Sequence, residues 1–263
     1  MNSRLVIVTG ASGAVGNSFI KHFLKEDDTD CVAISRSPME TEALHLQADL
    51  LNRESIEKEI AKLTITNIKD VILVHGVGKF KYESESEIAS LGTTEEEIDD
   101  EIFSSNYQTF VNIAEPLMEK LNQEHNKGSQ TTLALCAFGS ITDKYKIPFW
   151  HSYTYAKDSL REYIKELAKS PEWGGLIRGR FINVSTTDTG NENKLRPYAT
   201  VEEKKYWLKP ETIVERAIAS VESLTPLWQE IDVYEPLPGF DPQEYYTNFE
   251  EIKSKWQRQT GIS

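Results

Sequence analysis

The stretch LVIVTGASGAVGNSFIKHFLK, residues 5–25, holds a short apolar run, a turn carrying Gly10, Gly13 and Gly16, and a segment with helical spacing. The run is apolar at nearly every position, which suits a strand buried on both faces of a parallel sheet. A strand, then glycines, then a helix lets backbone N–H groups approach a pyrophosphate at the helix N-terminus. A glycine pattern alone is a weak signal. Directly after the first buried strand, it favours a dinucleotide over a bare tight turn.

The same alternation continues along the chain. Strand-like runs recur at "CVAIS" (Cys31), "VILVH" (Val71), "TLALCA" (Thr132), "RFINVS" (Arg180) and "IDVY" (Ile231), with a weaker one, "LHLQADL", from Leu44. Between them, "RESIEKEIAKL", the apolar series Ile98, Ile102, Phe110, Ile113, Leu117 and Leu121, "YAKDSLREYIKELAK" and "PETIVERAIASV" carry helical spacing. Strands alternating with helices imply right-handed crossovers. The expected fold is therefore α/β: a doubly wound, mostly parallel seven-stranded sheet with helices on both faces, one domain over residues 1–263. The acidic stretch "ESESEIASLGTTEEEIDDE" reads as a solvated loop and helix start. The tail, residues 241–263, carries Tyr245, Tyr246, Phe249 and Trp256 and is expected to pack on the body or on a neighbouring subunit.

Net charge is −13 and the isoelectric point is near 5.0, which argues against a nucleic-acid partner. Cys31 and Cys136 both sit in apolar runs and read as buried free thiols, with neither a disulfide framework nor metal-type spacing. The opening "MNSRLVIVTG" passes straight into an apolar run too short for a signal-peptide core or a membrane span. A soluble cytoplasmic protein is expected.

Dinucleotide folds place the ribose-reading residue about 20 residues beyond the glycines, at the end of the second strand. Counting on from Gly16 reaches "AISRSP", where Arg36 stands between Ser35 and Ser37 and no carboxylate is available for a free 2′-hydroxyl. An arginine with two flanking hydroxyls suits a 2′-phosphate, so NADP(H) is expected over NAD(H). Farther on, "HSYTYAKDSL", residues 151–160, offers two tyrosines and a lysine. Residues four apart share a helical face, which pairs Tyr153 with Lys157 and aims Tyr155 elsewhere.

Taken together, these motifs resemble the short-chain dehydrogenase/reductase family, over nearly the whole chain. "ADL" at Ala48–Leu50 is similar to the family's Asp-Leu after the third strand, and "SSNYQTFVNIAEPLMEKL" to its fourth-helix segment, matching Asn106 to the family's asparagine. "LALCAFGS" ends a strand at Ser140, and Tyr153 follows 13 positions later (153 − 140), a spacing typical of the family. The resemblance implies a Rossmann fold and carbonyl–alcohol interconversion, with Asn106, Ser140, Tyr153 and Lys157 as the catalytic set. It implies a nicotinamide dinucleotide held by Gly10, Ser12, Gly13, Ala14, Val15 and Gly16, by Arg36, Asp49 and Leu50, by His75 and Gly76, and by Tyr153, Lys157 and Thr189. Tyr153 would be the general acid/base, its phenolate stabilised by Lys157; Ser140 would bind the carbonyl oxygen; Asn106 would support a water path from Lys157.

The chain also departs from that pattern. Its glycines are spaced Gly-x-x-Gly-x-x-Gly, more like the longer epimerase and dehydratase branch; "VHGVG" replaces Asn-Asn-Ala-Gly; and "VSTTDTG" replaces the usual Pro-Gly. Two other readings therefore stay open, a nucleotide-dependent epimerase or lyase and a non-catalytic NADP(H)-binding sensor. Residues 190–209, with Tyr198, Tyr206 and Trp207, are placed to cover the substrate site as a lid. His151 and His75 read as satisfied, non-catalytic histidines near the pocket. The resemblance places the Ile98–Leu121 and "YAKDSLREYIKELAK" helices at a two-fold interface, implying a homodimer or homotetramer acting on a small carbonyl or alcohol, with neither nucleic acid nor membrane as partner.

Overall fold

A computed structural model describes residues 3–83, 98–234 and 241–261. Seven strands form one sheet: β1 (Arg4–Thr9), β2 (Thr29–Ser35), β3 (Leu44–Gln47), β4 (Asp70–His75), β5 (Thr132–Ser140), β6 (Ile177–Val184) and β7 (Trp228–Val233), in the order 3-2-1-4-5-6-7. Every pairing is parallel, from Arg4 against Thr29 between β1 and β2 to Val184 against Val233 between β6 and β7. Central strands are buried along their length, as their uninterrupted apolar runs require. The third strand stops at Gln47, short of the expected "LHLQADL", and Ala48–Leu50 form the turn that follows.

Helices cover both faces. On one side α1 (Ala14–Phe23) and α9 (Pro210–Glu222) pack Phe19, Phe23, Ile213 and Ala217 against Val6, Val8, Ile72 and Ala134. On the other lie α2 (Arg53–Lys62), α4 (Thr109–His125) and α6 (His151–Lys169). Their Ile56, Phe110, Leu117 and Leu160 pack against Ile7, Leu73 and Leu135. The helical segment expected from Ile98 to Leu121 is interrupted. It consists of α3 (Asp100–Phe103), a π-helical turn (Ser104–Gln108) and α4. Asp99 caps α3, accepting from the N–H groups of Glu101 and Ile102, and residues 84–97 of the acidic stretch lie outside the described residues.

The remaining short helices are α5 (Ile141–Lys144), α7 (Gly190–Leu195), α8 (Val201–Lys204), α10 (Pro242–Thr247) and α11 (Phe249–Thr260). The tail packs back on the body: Tyr246, Ile252 and Trp256 bury themselves against Ile147, Phe149 and Trp150 in a third apolar cluster. Cys31 and Cys136 are both buried free thiols, as their apolar surroundings suggested. Among the described residues, no helix is long and apolar enough to cross a membrane, and no group of His, Cys, Asp and Glu is placed to hold a metal.

Candidate active site

Because all seven strands run the same way, their C-terminal ends share one edge of the sheet. That edge carries Gly10 after β1, Arg36 after β2, Asp49 after β3, Gly76 after β4, Ser140 at the end of β5 and Thr189 beyond β6. The strand order reverses between β1 and β4, and in open α/β sheets the crevice at such a switch point is where ligands bind.

At that crevice the glycine turn is tightly packed. Gly10 has φ +63°, and a Cβ on it would stand 2.5 Å from the Gly76 carbonyl oxygen; a Cβ on Gly16 would stand 2.5 Å from the Gly10 carbonyl oxygen. Gly13 donates its N–H to the Gly10 carbonyl at 2.8 Å and opens α1 without a side-chain cap. The first-turn N–H groups of Ala14, Val15 and Gly16 therefore have no acceptor within the helix. Ser12, Gly13 and Ala14 are exposed, and Val15 packs inward. Uncapped donors at the helix's positive end, beside a backbone no side chain can obstruct, fit a dinucleotide pyrophosphate.

Arg36 is exposed and its guanidinium pairs with nothing among the described residues, which suits an anionic ligand group. Its neighbours are not equivalent. The Ser37 side is exposed, but Ser35 ends a buried strand, donates its hydroxyl to the Ser37 carbonyl at 2.6 Å and lies 2.9 Å from His45 Nε2. The expected pair of flanking hydroxyls is thus reduced to one, because the Ser35 hydroxyl is already engaged by the Ser37 carbonyl and His45. Asp49 is exposed, with Oδ1 accepting from the Leu51 N–H at 3.0 Å. Leu50 turns its side chain into the core, and its carbonyl accepts from Asn112 Nδ2 at 2.8 Å.

The four residues expected to form a catalytic set, Asn106, Ser140, Tyr153 and Lys157, converge. Ser140 caps α5: its hydroxyl accepts from the Thr142 N–H at 3.2 Å, and its own N–H donates to Asp143 Oδ1 at 2.5 Å. Four residues apart on α6, Tyr153 and Lys157 place the ammonium 5.4 Å from the centre of the phenol ring. Tyr155 contacts Phe103 instead. Asn106 lies on the π-helical turn, fully buried, with Nδ2 donating to the carbonyls of Lys79 (2.7 Å) and Ile102 (2.8 Å) and Oδ1 unpaired. A Cβ on Gly78 would stand 2.3 Å from that oxygen and 3.5 Å from Lys157 Nζ.

Electrostatics follow from burial. Lys157 is 4% exposed, and burial pulls its ammonium down to about 8 while the Asp143 carboxylate pushes it back up. The Tyr153 phenol is held well above its ordinary value by burial, then by the carboxylates of Asp143 and Glu192; a hydrogen bond from Ser140 works in the opposite direction. Asp143 is fully buried beside Arg161; burial raises it to about 6 against the pull of that guanidinium. His75 is locked between Thr9 Oγ1 at 2.9 Å and Thr109 Oγ1 at 3.2 Å. Burial, reinforced by Lys157, lowers it to about 3, so the imidazole is neutral and its side chain is committed to the core.

A cleft of about 300 Å³ opens beside Ser140 and Tyr153. Residues 190–209 form one wall, with both ends clipped: Asp188 N–H donates to the Leu208 carbonyl at 2.7 Å and Leu208 N–H to the Thr186 carbonyl at 2.8 Å. Thr189 lines the cleft and caps α7, accepting from the Glu192 N–H at 3.1 Å. Tyr206 and Trp207 line it, whereas Tyr198 is 65% exposed and lies against Gly261, away from it. The tail supplies the facing wall. Arg196, 6% exposed, inserts its guanidinium between Trp207 (4.7 Å) and Trp256 (4.8 Å), pairs with Glu192 and donates to Gln259 Oε1 at 3.1 Å. Gly78, Asp143 and the Arg196–Trp256 wall were not singled out in the sequence; only Asp143 had a local signal, the capping-box spacing Ser140-x-x-Asp143.

No protein-family model matches the chain, and no curated protein matches it in sequence. Solved structures do match. An aldohexose dehydrogenase from Thermoplasma acidophilum superposes with a TM-score of 0.69 at 16% identity, covering 92% of this chain and 96% of that one. A short-chain dehydrogenase from Burkholderia cenocepacia in complex with NADP gives 0.67 at 15% identity, covering 100% of both chains. An alcohol dehydrogenase from the archaeon Thermococcus sibiricus, complexed with 5-hydroxy-NADP, gives 0.62 at 19% identity, covering 88% of this chain and 96% of that one. The chain has the fold of the short-chain dehydrogenases and reductases.

Proposed function

We propose that this protein is an NADP(H)-dependent oxidoreductase of the short-chain dehydrogenase/reductase type, interconverting a carbonyl and an alcohol. The observation that carries the reading is the meeting of Ser140, Tyr153, Lys157 and Asn106 at the sheet edge that also presents the uncapped turn of α1. Solved neighbours in complex with NADH, NADP and 5-hydroxy-NADP support a nicotinamide cofactor. When bound, that cofactor supplies or accepts the hydride.

The chain's own residues do the rest. Gly10, Gly13 and the N–H groups of Ala14, Val15 and Gly16 hold the pyrophosphate; Arg36 takes the 2′-phosphate; Asp49 and the Leu50 backbone flank the adenine. With substrate bound, Ser140 donates its one hydroxyl hydrogen to the substrate oxygen in place of Tyr153, while a lone pair keeps accepting from the Thr142 N–H. Tyr153 delivers the proton to that oxygen as negative charge develops there, and Lys157, on the same helical face, stabilises the phenolate left behind. Asn106 supports a water path that returns the proton through Lys157. The lid and tail exclude solvent from the reacting carbonyl. In this reading α4 and α6 also form a two-fold interface between subunits.

NADPH consumption over a panel of ketones, aldehydes and quinones tests the assignment. Turnover that vanishes with Tyr153→Phe supports it, and no consumption with any member of the panel counts against it.

A further inference from the structure

The walls of the cleft carry a second message, about what enters it. Next to Tyr153 stands Phe80, ring centres 5.1 Å apart and nearly perpendicular, and behind Phe80 stands Trp150 at 5.5 Å. Ile141 and Ile147 complete the apolar surface nearest Ser140, and the lid contributes Tyr206, 48% exposed at its rim. The charges on these walls are largely spent on one another. Arg196 is caged between two indoles and paired with Glu192, and Glu203 is paired with Arg258. Lys255 donates to the Tyr245 hydroxyl at 2.7 Å. Near the reacting position the Asp143 and Glu192 carboxylates and the Lys157 ammonium all face the Tyr153 phenol, so charge of both signs is present there.

Resting on the reductase reading above, we propose that the cleft takes a carbonyl compound bearing a flat aromatic ring, held against Phe80 and Trp150 and covered by Tyr206. Flat rings meet aromatic walls edge-to-face or offset-stacked, contacts that a saturated ring of similar size does not reproduce.

The test separates binding from turnover. Calorimetric titration of the cofactor-free chain with 2-naphthalenemethanol and decahydro-2-naphthalenemethanol reads the class directly, and NADPH consumption with the two corresponding aldehydes reads the chemistry. The naphthyl alcohol is expected to bind about tenfold more tightly than its saturated counterpart. Tyr206→Ala, at a half-exposed position that carries little packing, is expected to cut that preference by about threefold to tenfold. Equal binding of the aromatic and saturated rings, or tighter binding of the saturated one, would overturn the proposal. An aromatic binding preference with no turnover of any aldehyde would uphold it and overturn the reductase reading. Turnover of the saturated aldehyde as efficiently as the naphthyl one would do the reverse.

Discussion

The side-chain oxygen of Asn106 and the ammonium of Lys157 meet across Gly78, where a single added Cβ would stand 2.3 Å from one and 3.5 Å from the other. Neither group has a hydrogen-bond or ion-pair partner for that atom among the described residues. An acceptor and a cation flanking the smallest residue form the inner end of the site, and Tyr153 and Ser140 form the outer end.

Gly78→Ala is therefore expected to be costly despite its small size. Asn106 cannot swing away, because its Nδ2 is tied to the Lys79 and Ile102 carbonyls. Overpacking of this kind costs about 1–3 kcal/mol. Thermal unfolding should show a lowered midpoint, and turnover should fall further than the stability loss accounts for. An alanine variant with wild-type stability and rate would show that the glycine is incidental.

Arg36→Asp tests the cofactor assignment. Removing a charged hydrogen-bond partner from a phosphate site costs about 1.5–3 kcal/mol. NADPH affinity should fall by that amount while NADH affinity changes little. Equal wild-type affinity for the two nucleotides would contradict the assignment.

The pH dependence of kcat/KM for NADPH reports groups of the free enzyme. Asp143, raised to about 6 by burial, loses its charge as pH falls, and with it the partner of Arg161 and the acceptor of the Ser140 N–H. Lys157, lowered to about 8 by burial, loses its proton as pH rises. The profile should fall below about 6 and above about 8. Since the Asp143 carboxylate supports the charged form of Lys157, Asp143→Asn should move the alkaline limb to lower pH. An alkaline limb unmoved by that substitution would contradict the coupling.

The parts of this arrangement that repeat locally were legible in the sequence. Runs such as "VILVH" and "TLALCA" are apolar at successive positions because both faces of the sheet are covered, so strands and their parallel sense could be read directly. Tyr153 and Lys157 could be paired because helical periodicity alone puts them on one face. The π-helical turn holding Asn106 has no compositional mark and packs against α6, a neighbour remote in sequence. The tail's half of the cleft wall has no local mark either: Arg196 and Trp256 come from separate segments and meet only after the tail folds back. Of the two serines flanking Arg36 only Ser37 keeps an exposed hydroxyl, because Ser35 ends a buried strand and donates to the Ser37 carbonyl, an engagement that sequence does not mark.

Assembly is open to a direct measurement. If α4 and α6 form a two-fold interface, light scattering at micromolar concentration should give twice or four times the chain mass of 30.0 kDa. A clean monomer would remove that interface from the account.

The central claim is that Tyr153 delivers the proton. Tyr153→Phe keeps the ring beside Phe80 and deletes only the hydroxyl, so thermal stability and NADPH affinity should change little. Tyr155→Phe, whose ring lies against Phe103, serves as the matched control and should leave turnover intact. The most direct measurement is single-turnover reduction of an accepted aldehyde with NADPH already bound. The account predicts that Tyr153→Phe slows this step by about 10²–10⁴-fold, the scale of positioned acid–base catalysis, while Tyr155→Phe runs at the wild-type rate. Reduction by Tyr153→Phe at the wild-type rate would contradict it.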